Sequence, residues 1–459
     1  MAKRKPYFYE AFISIAGLIV IMGISLVKFS ADPHIPMLLG SAIAGIVAVK
    51  VGYDWKYIEQ GMIEGITQAL QSIIILTIIG VLIGIWIQAG VVPSMIYYGF
   101  NILSPKIFLL AALLICSITS LATGTSWGTV GTVGIALMGI GQGLGIPAPV
   151  AAGAIISGAY FGDKMSPLSD TTNLAPAVAG TDVFTHVRHM LYTTGVTYVI
   201  VIILYLVLGF KFGSGEMTFS TINEIKEGLE AQFFISPLLL IPPLVVITCV
   251  ALKAPAIPSI TFGVILGAVE AAIFQKADLG MIITAGYSGY VSETGSQLID
   301  ELLTAGGMTA MMYSVSLTIA AMMFGGILEK TGQMEALMKP VLKRLKSDGS
   351  LIAATIASCI ATNMMLPEQY ISIVVPGRMY ADAYRERGLH PKNLSRALED
   401  GGTITSVLVP WNTCGAFMKS ILGISAVAYG PWAFLNYINP IVSIIYGFTG
   451  FTIEKIDKA

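Results

Sequence analysis

Two polar segments in the first half of this 459-residue chain carry side chains that could bind a small cation. They are TSLATGTSWGTVGT at 119–132 and GDKMSPLSDTTNLAP at 162–176, each flanked by apolar runs. Hard cations prefer oxygen ligands, and backbone that leaves a helix adds carbonyl oxygens. The segments therefore predict a Na⁺ site, with the ion at Asp170, Thr172 and Asn173. The candidate ligands, all bearing a side-chain oxygen, are Thr123, Thr125, Ser126, Ser169, Thr171, Thr172 and Asn173.

The carboxylates of the second segment could exchange protons for cations. Burial disfavours the charged form of a carboxylate, whereas a bound cation stabilises it, so the group holds one or the other. Asp163 and Asp170 are the candidates, and the sequence does not decide between them. Helical neighbours do not face each other. Lys164 is therefore expected to neutralise Asp163 or Asp170 across a helix break, or to exchange a proton itself.

A similar pair of segments lies in the second half, ATNMMLPEQY at 361–370 and LEDGGTITSVLVPWNTCG at 398–415. Glu368, flanked by apolar residues, is a further candidate for proton or cation exchange, whereas Asp400 could equally be an interfacial charge. Single Ser and Thr side chains also pack or bond to backbone within membrane helices. The clusters, rather than single hydroxyls, favour a binding site. The candidate ligands here are Asn363, Gln369, Asn412 and Thr413.

Composition places these segments in a membrane. Hydrophobic residues make up 55% of the chain and charged residues 12%, where about 25% charged is usual for soluble proteins. Mean hydropathy is +0.78, which predicts an all-α polytopic protein of about 10–12 spans in the lipid bilayer of the cell membrane. The net charge of −1 gives no basis for nucleic-acid binding. No nucleophile, metal or phosphate-loop pattern predicts an enzyme, and no cofactor is expected.

The two halves of the chain resemble each other. PHIPMLLGSAIAG at 33–45 matches PAIPSITFGVILG at 255–267 in two prolines and a glycine. Such matches in constant order indicate duplication, the signature of many secondary transporters. Three more matches follow in the same order: GIWIQAG (84–90) with GILEKTG (326–332), ATG (122–124) with ATN (361–363), and Asn173 with Asn412.

Loop charges predict that the repeats are inverted. Lys3, Arg4 and Lys5 place the N-terminus in the cytoplasm, whereas the acidic segment 211–232 has nothing to draw it inward. The second half therefore starts on the opposite side of the membrane from the first. We divide the chain into a first repeat (1–210), an extracytoplasmic loop (211–232) and a second repeat (233–459).

Three of these blocks carry a family resemblance. GDKMSPLSDTTNLAPAVAGTDVFTHVRHML, ATGTSWGT and LVPWNTCG resemble NhaC-type Na⁺/H⁺ antiporters, a family that also includes sodium-coupled malate/lactate antiporters, within the ion-transporter superfamily. The resemblance covers essentially the whole chain. It implies re-entrant hairpins with tips near Thr123–Ser126 and Asn363–Gln369, and helix breaks near Ser169–Asn173 and Trp411–Thr413.

The same resemblance implies a division of labour between helices, and a homodimer. Spans within 11–51 and 233–274 would form a scaffold, and segments 66–210 and 309–450 would form a transport part that moves against it. Exchange of Na⁺ for H⁺ by alternating access is then the first functional hypothesis. Na⁺- or H⁺-coupled antiport of small carboxylates or amino acids, such as malate and lactate, is the alternative, because Lys164, Arg188 and helix N-termini could hold a carboxylate. The repeat argues against a channel.

Overall fold

The computed structural model describes residues 4–29, 31–212, 219–252, 254–294, 296, 299–300, 303–342, 345–366 and 368–456. Lys3, which contributed to the predicted orientation, lies outside these residues. Within them the only β-structure is two isolated bridges, and the rest is helices and their connections.

The helices of the first half end at the glycines, prolines and polar residues that the sequence places between its apolar runs. Glycines in the left-handed conformation follow several of them, as is common at helix C-termini. They are α1 (Phe8–Gly23), α2 (His34–Val51), α3 (Trp55–Gln68), α4 (Leu70–Gln88), α5 (Val91–Ile102), α6 (Pro105–Thr123), α7 (Ser126–Thr129), α8 (Ile135–Gly143), α9 (Ala148–Met165), α10 (Asp170–Ala179), α11 (Val183–Phe212) and α12 (Phe219–Gln232).

The helices of the second half are more often interrupted. A π-helical turn, Glu399–Thr403, separates α20 from α21, and residues 407–412 separate α21 from α22. The helices are α13 (Ile241–Ala251), α14 (Ala256–Phe274), α15 (Leu279–Ser288), α16 (Met308–Lys330), α17 (Gln333–Leu342), α18 (Asp348–Met365), α19 (Gln369–Glu386), α20 (Pro391–Leu398), α21 (Ile404–Ser406), α22 (Thr413–Leu422), α23 (Ala426–Tyr429) and α24 (Phe434–Thr449).

Several of these helices can cross a membrane. By length and apolar composition, the described residues hold six such helices, or seven if one bent pair is counted as a span. The all-α polytopic prediction is confirmed. The number of intact spanning helices is smaller than the predicted 10–12, because runs such as 394–424 are divided into shorter helices. The inverted repeat stays a prediction. The six helices are α2, α4, α6, α11, α14 and α16.

Two buried apolar clusters hold the interrupted helices in place. One packs α4, α6 and α9 together through residues such as Leu76, Phe108 and Ile155. The other includes Met37 of α2 and Ile356 of α18. Three helices that end at the polar segments are therefore well packed along their apolar lengths. They are α6 and α9 in the first cluster and α18 in the second. Their polar ends are positioned by that packing.

Candidate functional site

The first polar element is the tip between α6 and α7. Helix α6 ends at Thr123, and Gly124 follows in the left-handed conformation with φ +69°. Thr125 then caps α7 by accepting a hydrogen bond from Gly128 N at 3.2 Å. A Cβ atom on Gly124 would lie 2.7 Å from the carbonyl carbon of Leu168. The tip therefore packs directly against the segment between α9 and α10, and only glycine fits there.

Gly124→Ala is expected to lower the melting temperature in detergent and to abolish exchange activity. Gly180→Ala is a matched control, because Gly180 has φ +84° but nothing lies within 4 Å of its Cβ position. Both substitutions force alanine into the left-handed region, at about 1–2 kcal/mol. Only Gly124→Ala adds the contact with Leu168. Equal effects of the two substitutions would mean that the tip does not need this close approach.

The second polar element is the break between α9 and α10, at residues 166–169, immediately before the predicted Ser169–Asn173. Thr172 Oγ1 donates to the carbonyls of Asp163 at 3.1 Å and Lys164 at 3.0 Å. Asn173 Nδ2 donates to the carbonyls of Pro167 at 2.8 Å and Ser169 at 2.7 Å. These two side chains therefore bind backbone carbonyls at the end of α9 and within the break, which ties the two helices together.

Asp163 joins the two elements. Its carboxylate is buried and accepts from the backbone N of Ser126 at 3.1 Å and from its hydroxyl at 2.6 Å. Ser126 is the first residue of α7, so the carboxylate lies at a helix start, where negative charge is stabilised. The ring of Trp127, the next residue, stacks on Phe417 of α22 with centroids 4.3 Å apart. The tip therefore contacts broken helices of both halves.

A cavity of about 500 Å³ opens beside Asp163. Thr123 Oγ1 is buried there and has no hydrogen-bond partner among the described residues, so it is free to ligate. No Lys, Arg or His is among the described residues that line this cavity. The cavity suits a cation better than an anion. The sequence-predicted residues that line it are Thr123, Thr125, Ser126, Asp163, Ser169, Asp170, Thr171 and Gln369.

Thr172 and Asn173 do not line this cavity. Thr172 is fully buried with its hydroxyl bound to two carbonyls, and Asn173 is exposed with its amide bound to the carbonyls of Pro167 and Ser169. The predicted Na⁺ position at Asp170, Thr172 and Asn173 is therefore not formed as one group of converging oxygens. Asp170 is separate from them and faces the cavity, where it is exposed.

A neighbouring cavity of about 650 Å³ extends from the first. The two share Asp170 and Tyr370, and the second reaches Glu368 and Arg378. Glu368 is 1% exposed, and its Oε2 has no hydrogen-bond partner among the described residues. Pro367, which precedes it, lies outside those residues. Sequence reasoning missed Tyr370, since a lone tyrosine at a helix start gives no distinctive signal.

The remaining second-half candidates form one buried cluster. Asn363 Nδ2 donates to the carbonyl of Gly402 at 2.6 Å and to Thr405 Oγ1 at 3.1 Å. Asn412 Nδ2 donates to the Asn363 carbonyl at 3.2 Å. Thr413 Oγ1 donates to Asn412 Oδ1 at 3.4 Å, and Gln369 Oε1 accepts from Cys414 Sγ at 3.3 Å. The structure therefore brings Asn363, Gln369, Asn412 and Thr413 together.

Lys164 is paired with the second half of the chain. Its Nζ lies 2.7 Å from Asp400 Oδ1, and both side chains are fully buried. Asn439 Nδ2 also donates to Asp400 Oδ1, at 2.7 Å, and Thr193 Oγ1 to Oδ2, at 3.2 Å. The predicted pairing of Lys164 with Asp163 or Asp170 is wrong, because the Lys164 ammonium pairs with a carboxylate of the other half of the chain. Asp400 is not an interfacial charge.

Several known proteins are similar to this chain over nearly its whole length. The model of the Na⁺/H⁺ antiporter family matches residues 158–451. The chain is 40% identical to the Na(+)/H(+) antiporter NhaC of Alkalihalophilus pseudofirmus, over 94% of this chain and 93% of that protein. It is also 40% identical to the malate-2H(+)/Na(+)-lactate antiporter of Bacillus subtilis, over 97% and 96%. Identity to the arginine/ornithine antiporter ArcD of Halobacterium salinarum is 38%, over 99% and 94%.

Proposed function

Because the chain belongs to the Na⁺/H⁺ antiporter family, we propose that it exchanges Na⁺ for H⁺ across the cell membrane by alternating access. One observation carries the proposal: the buried carboxylate of Asp163 lies beside a cavity rich in hydroxyls, where no basic side chain lines the described wall. Either a proton or Na⁺ neutralises this carboxylate, and the two compete for it. Exchange follows when the loaded site is exposed in turn to the two sides.

Ser126 would hold the Asp163 carboxylate in place through both states. Its hydroxyl and backbone N–H fix one carboxylate oxygen, Oδ2, which leaves the other oxygen for the proton or the ion. Thr123 supplies to the same cavity a hydroxyl oxygen that has no hydrogen-bond partner among the described residues. An empty site would leave a charged carboxylate, whose passage through the membrane is costly. This cost suppresses leakage by the unloaded carrier.

We further propose the inverted duplication, with spans of 11–51 and 233–274 as scaffold. Matching contacts in the two halves support it. Ser126 binds Asp163 in the first half, and Asn363 binds the carbonyl of Gly402 in the second. Gly402 follows Asp163 by the spacing that separates Asn173 from Asn412. Each tip therefore contacts the equivalent point of its own broken helix.

We also propose a cytoplasmic N-terminus and a homodimeric assembly for this protein. Basic residues such as Arg4, Lys5 and Lys56 favour a cytoplasmic N-terminus. A homodimer is expected from the family resemblance. Accessibility of a single cysteine at Lys5→Cys to a membrane-impermeant reagent, in intact and in opened cells, checks the first of these.

Coupled transport of small organic acids is the second candidate. Each of the two cavities, of about 500 Å³ and 650 Å³, falls in the size range of small-molecule sites, about 300–1,000 Å³, and Arg378 in the larger one could bind a carboxylate. The cavity beside Asp163, however, offers no basic partner in its described lining. A relative named for malate and lactate gives this candidate its chemical class.

Purified protein in liposomes separates these candidates. We expect Na⁺ alone to dissipate an imposed pH gradient, with protein-free liposomes as the control. Protons compete with Na⁺ for one carboxylate. At pH values below the pKa of that carboxyl, each further drop of one pH unit should therefore raise the apparent KM for Na⁺ by about tenfold, at unchanged maximal rate. Dissipation that requires added malate or lactate would contradict Na⁺/H⁺ exchange and support the second candidate.

A further inference from the structure

Glu399 is a buried carboxylate that the cavity beside Asp163 does not include. It is the first residue of the π-helical turn between α20 and α21, and its side chain is 0% exposed. Neither carboxylate oxygen has a hydrogen-bond partner within the part of the chain that the structure describes. Buried polar groups are normally paired, because an unpaired one costs free energy. A protonated carboxyl costs far less there than a charged one.

The charged groups that act electrostatically on Glu399 come from both halves of the protein. Lys164 and Asp163 of α9 act on it, together with its neighbour Asp400. Lys164 is already paired with Asp400. Arg396, one turn earlier on α20, donates to Thr452 Oγ1 at 2.9 Å. The other titratable groups around this turn are His186 and His189 on α11, Cys359 on α18, Tyr384 on α19, Tyr446 on α24, Glu454 and, at the cavity, Asp170 on α10.

Charge balance links Glu399 to the cation site. In the empty carrier, which holds neither a proton nor Na⁺ at Asp163, the cations Lys164 and Arg396 offset the charged carboxylates Asp163 and Asp400, so neutrality requires Glu399 to be protonated. Na⁺ beside Asp163 adds one positive charge, and neutrality then requires Glu399 to be ionised. Net charge is costly inside the membrane. The arrival of Na⁺ therefore favours loss of the Glu399 proton.

We propose that Glu399 is a second proton-binding site, separate from the cavity, which releases its proton when Na⁺ binds beside Asp163. The O–H bond of the carboxyl breaks, the proton passes to the aqueous phase, and the electron pair stays on the carboxylate. The proposal rests on the proposed function in taking Asp163 to be the cation site. It differs in mechanism: Na⁺ expels this proton through charge and not by occupying the same oxygen atoms.

The test measures protons released per Na⁺ bound, by titrating purified protein in weakly buffered detergent with a pH indicator and by calorimetry. Glu399→Gln should still bind Na⁺ but release fewer protons, by about twofold or more per ion. Glu270→Gln is the matched control, since Glu270 is a buried carboxylate of α14 whose Oε2 also lacks a partner among the described residues. An unchanged ratio in Glu399→Gln, or an equal fall in Glu270→Gln, overturns the proposal.

A measurement on the native side chain covers the case in which Glu399→Gln does not fold. Infrared difference spectra of the wild-type protein should lose a protonated-carboxyl band on Na⁺ addition. That band should shift with ¹³C-labelled glutamate and persist in Glu368→Gln. Its absence overturns the second proton site. If the wild type binds no Na⁺ or releases no protons at all, the proposed function itself fails, which is a different outcome from a normal ratio in Glu399→Gln.

Discussion

Asp163→Asn is expected to abolish Na⁺-dependent dissipation of a pH gradient in liposomes, down to the rate of protein-free vesicles. Asparagine keeps the shape and can still accept from Ser126, but it neither binds a proton in this range nor carries the charge that attracts Na⁺. The loss is severe because Asp163 is the buried carboxylate among the described residues that line the cavity, whereas the other carboxylate there, Asp170, is exposed to water. The expected loss exceeds that of Asp170→Asn, because Asp170 is exposed at the cavity.

Asp182→Asn is the control for this substitution. Asp182 is exposed between α10 and α11, where it accepts from Thr185 N at 2.9 Å. Hydrogen bonding by the Thr185 side chain, and then by its backbone N, lowers the pKa of the Asp182 carboxyl below its ordinary value. The substitution removes the same charge from the same region without touching the cavity, and near-normal exchange is expected. Near-normal exchange by Asp163→Asn, with protein content verified, would exclude Asp163 as the exchange site.

Breaking the Lys164–Asp400 pair on one side should destabilise the protein more than any other charge substitution. Lys164→Met or Asp400→Asn leaves one buried charge without its counter-ion, at about 3–5 kcal/mol. Both partners are fully buried, so water cannot compensate. The double variant Lys164→Met/Asp400→Leu should recover most of that stability, because it removes both charges. Melting temperatures and expression yields measure the cycle.

The ion pair between Lys330 and Glu64 provides the comparison. Their side chains are 23% and 45% exposed, and the pair lies between α16 and α3. Lys330→Met should therefore cost about 1 kcal/mol or less. If the two single variants of Lys164 and Asp400 behave like Lys330→Met, or if the double variant is as unstable as the sum of the singles, the buried pair does not stabilise the fold as expected.

The family resemblance implied where the helices are interrupted, and local chemistry explains these positions. Gly124 ends α6, Ser169 caps α10 and Asn412 caps α22 by accepting from Cys414 N at 3.0 Å. Such ends depend on residues adjacent in sequence, so their signal is visible without a structure. The hydroxyl groups around Asp163 come from two segments that are each rich in Ser and Thr. Their cluster could be predicted once the two segments were taken to face each other.

Contacts between distant segments were not predictable in this way. Lys164 and Asp400 come from different halves, and nothing in either segment identifies its partner. Thr172 and Asn173 carry oxygens suited to a cation, but the same groups serve equally well to satisfy backbone carbonyls at a break. Which use prevails depends on where α9 ends. The burial of Glu399 could not be predicted from the sequence, because it arises only when α9, α18 and the π-helical turn pack together.

The Lys164–Asp400 pair also limits how the sequence of this protein can diverge and which chimaeras of it can fold. Lys164 lies in the first half of the chain and Asp400 in the second. Either charge, buried in the membrane without the other, would destabilise the protein. A chimaera that took one half from a relative with an apolar residue at either position would acquire a single unpaired buried charge. Positions 164 and 400 are therefore expected to change only together among relatives, and the two halves to be exchangeable between relatives only as a pair.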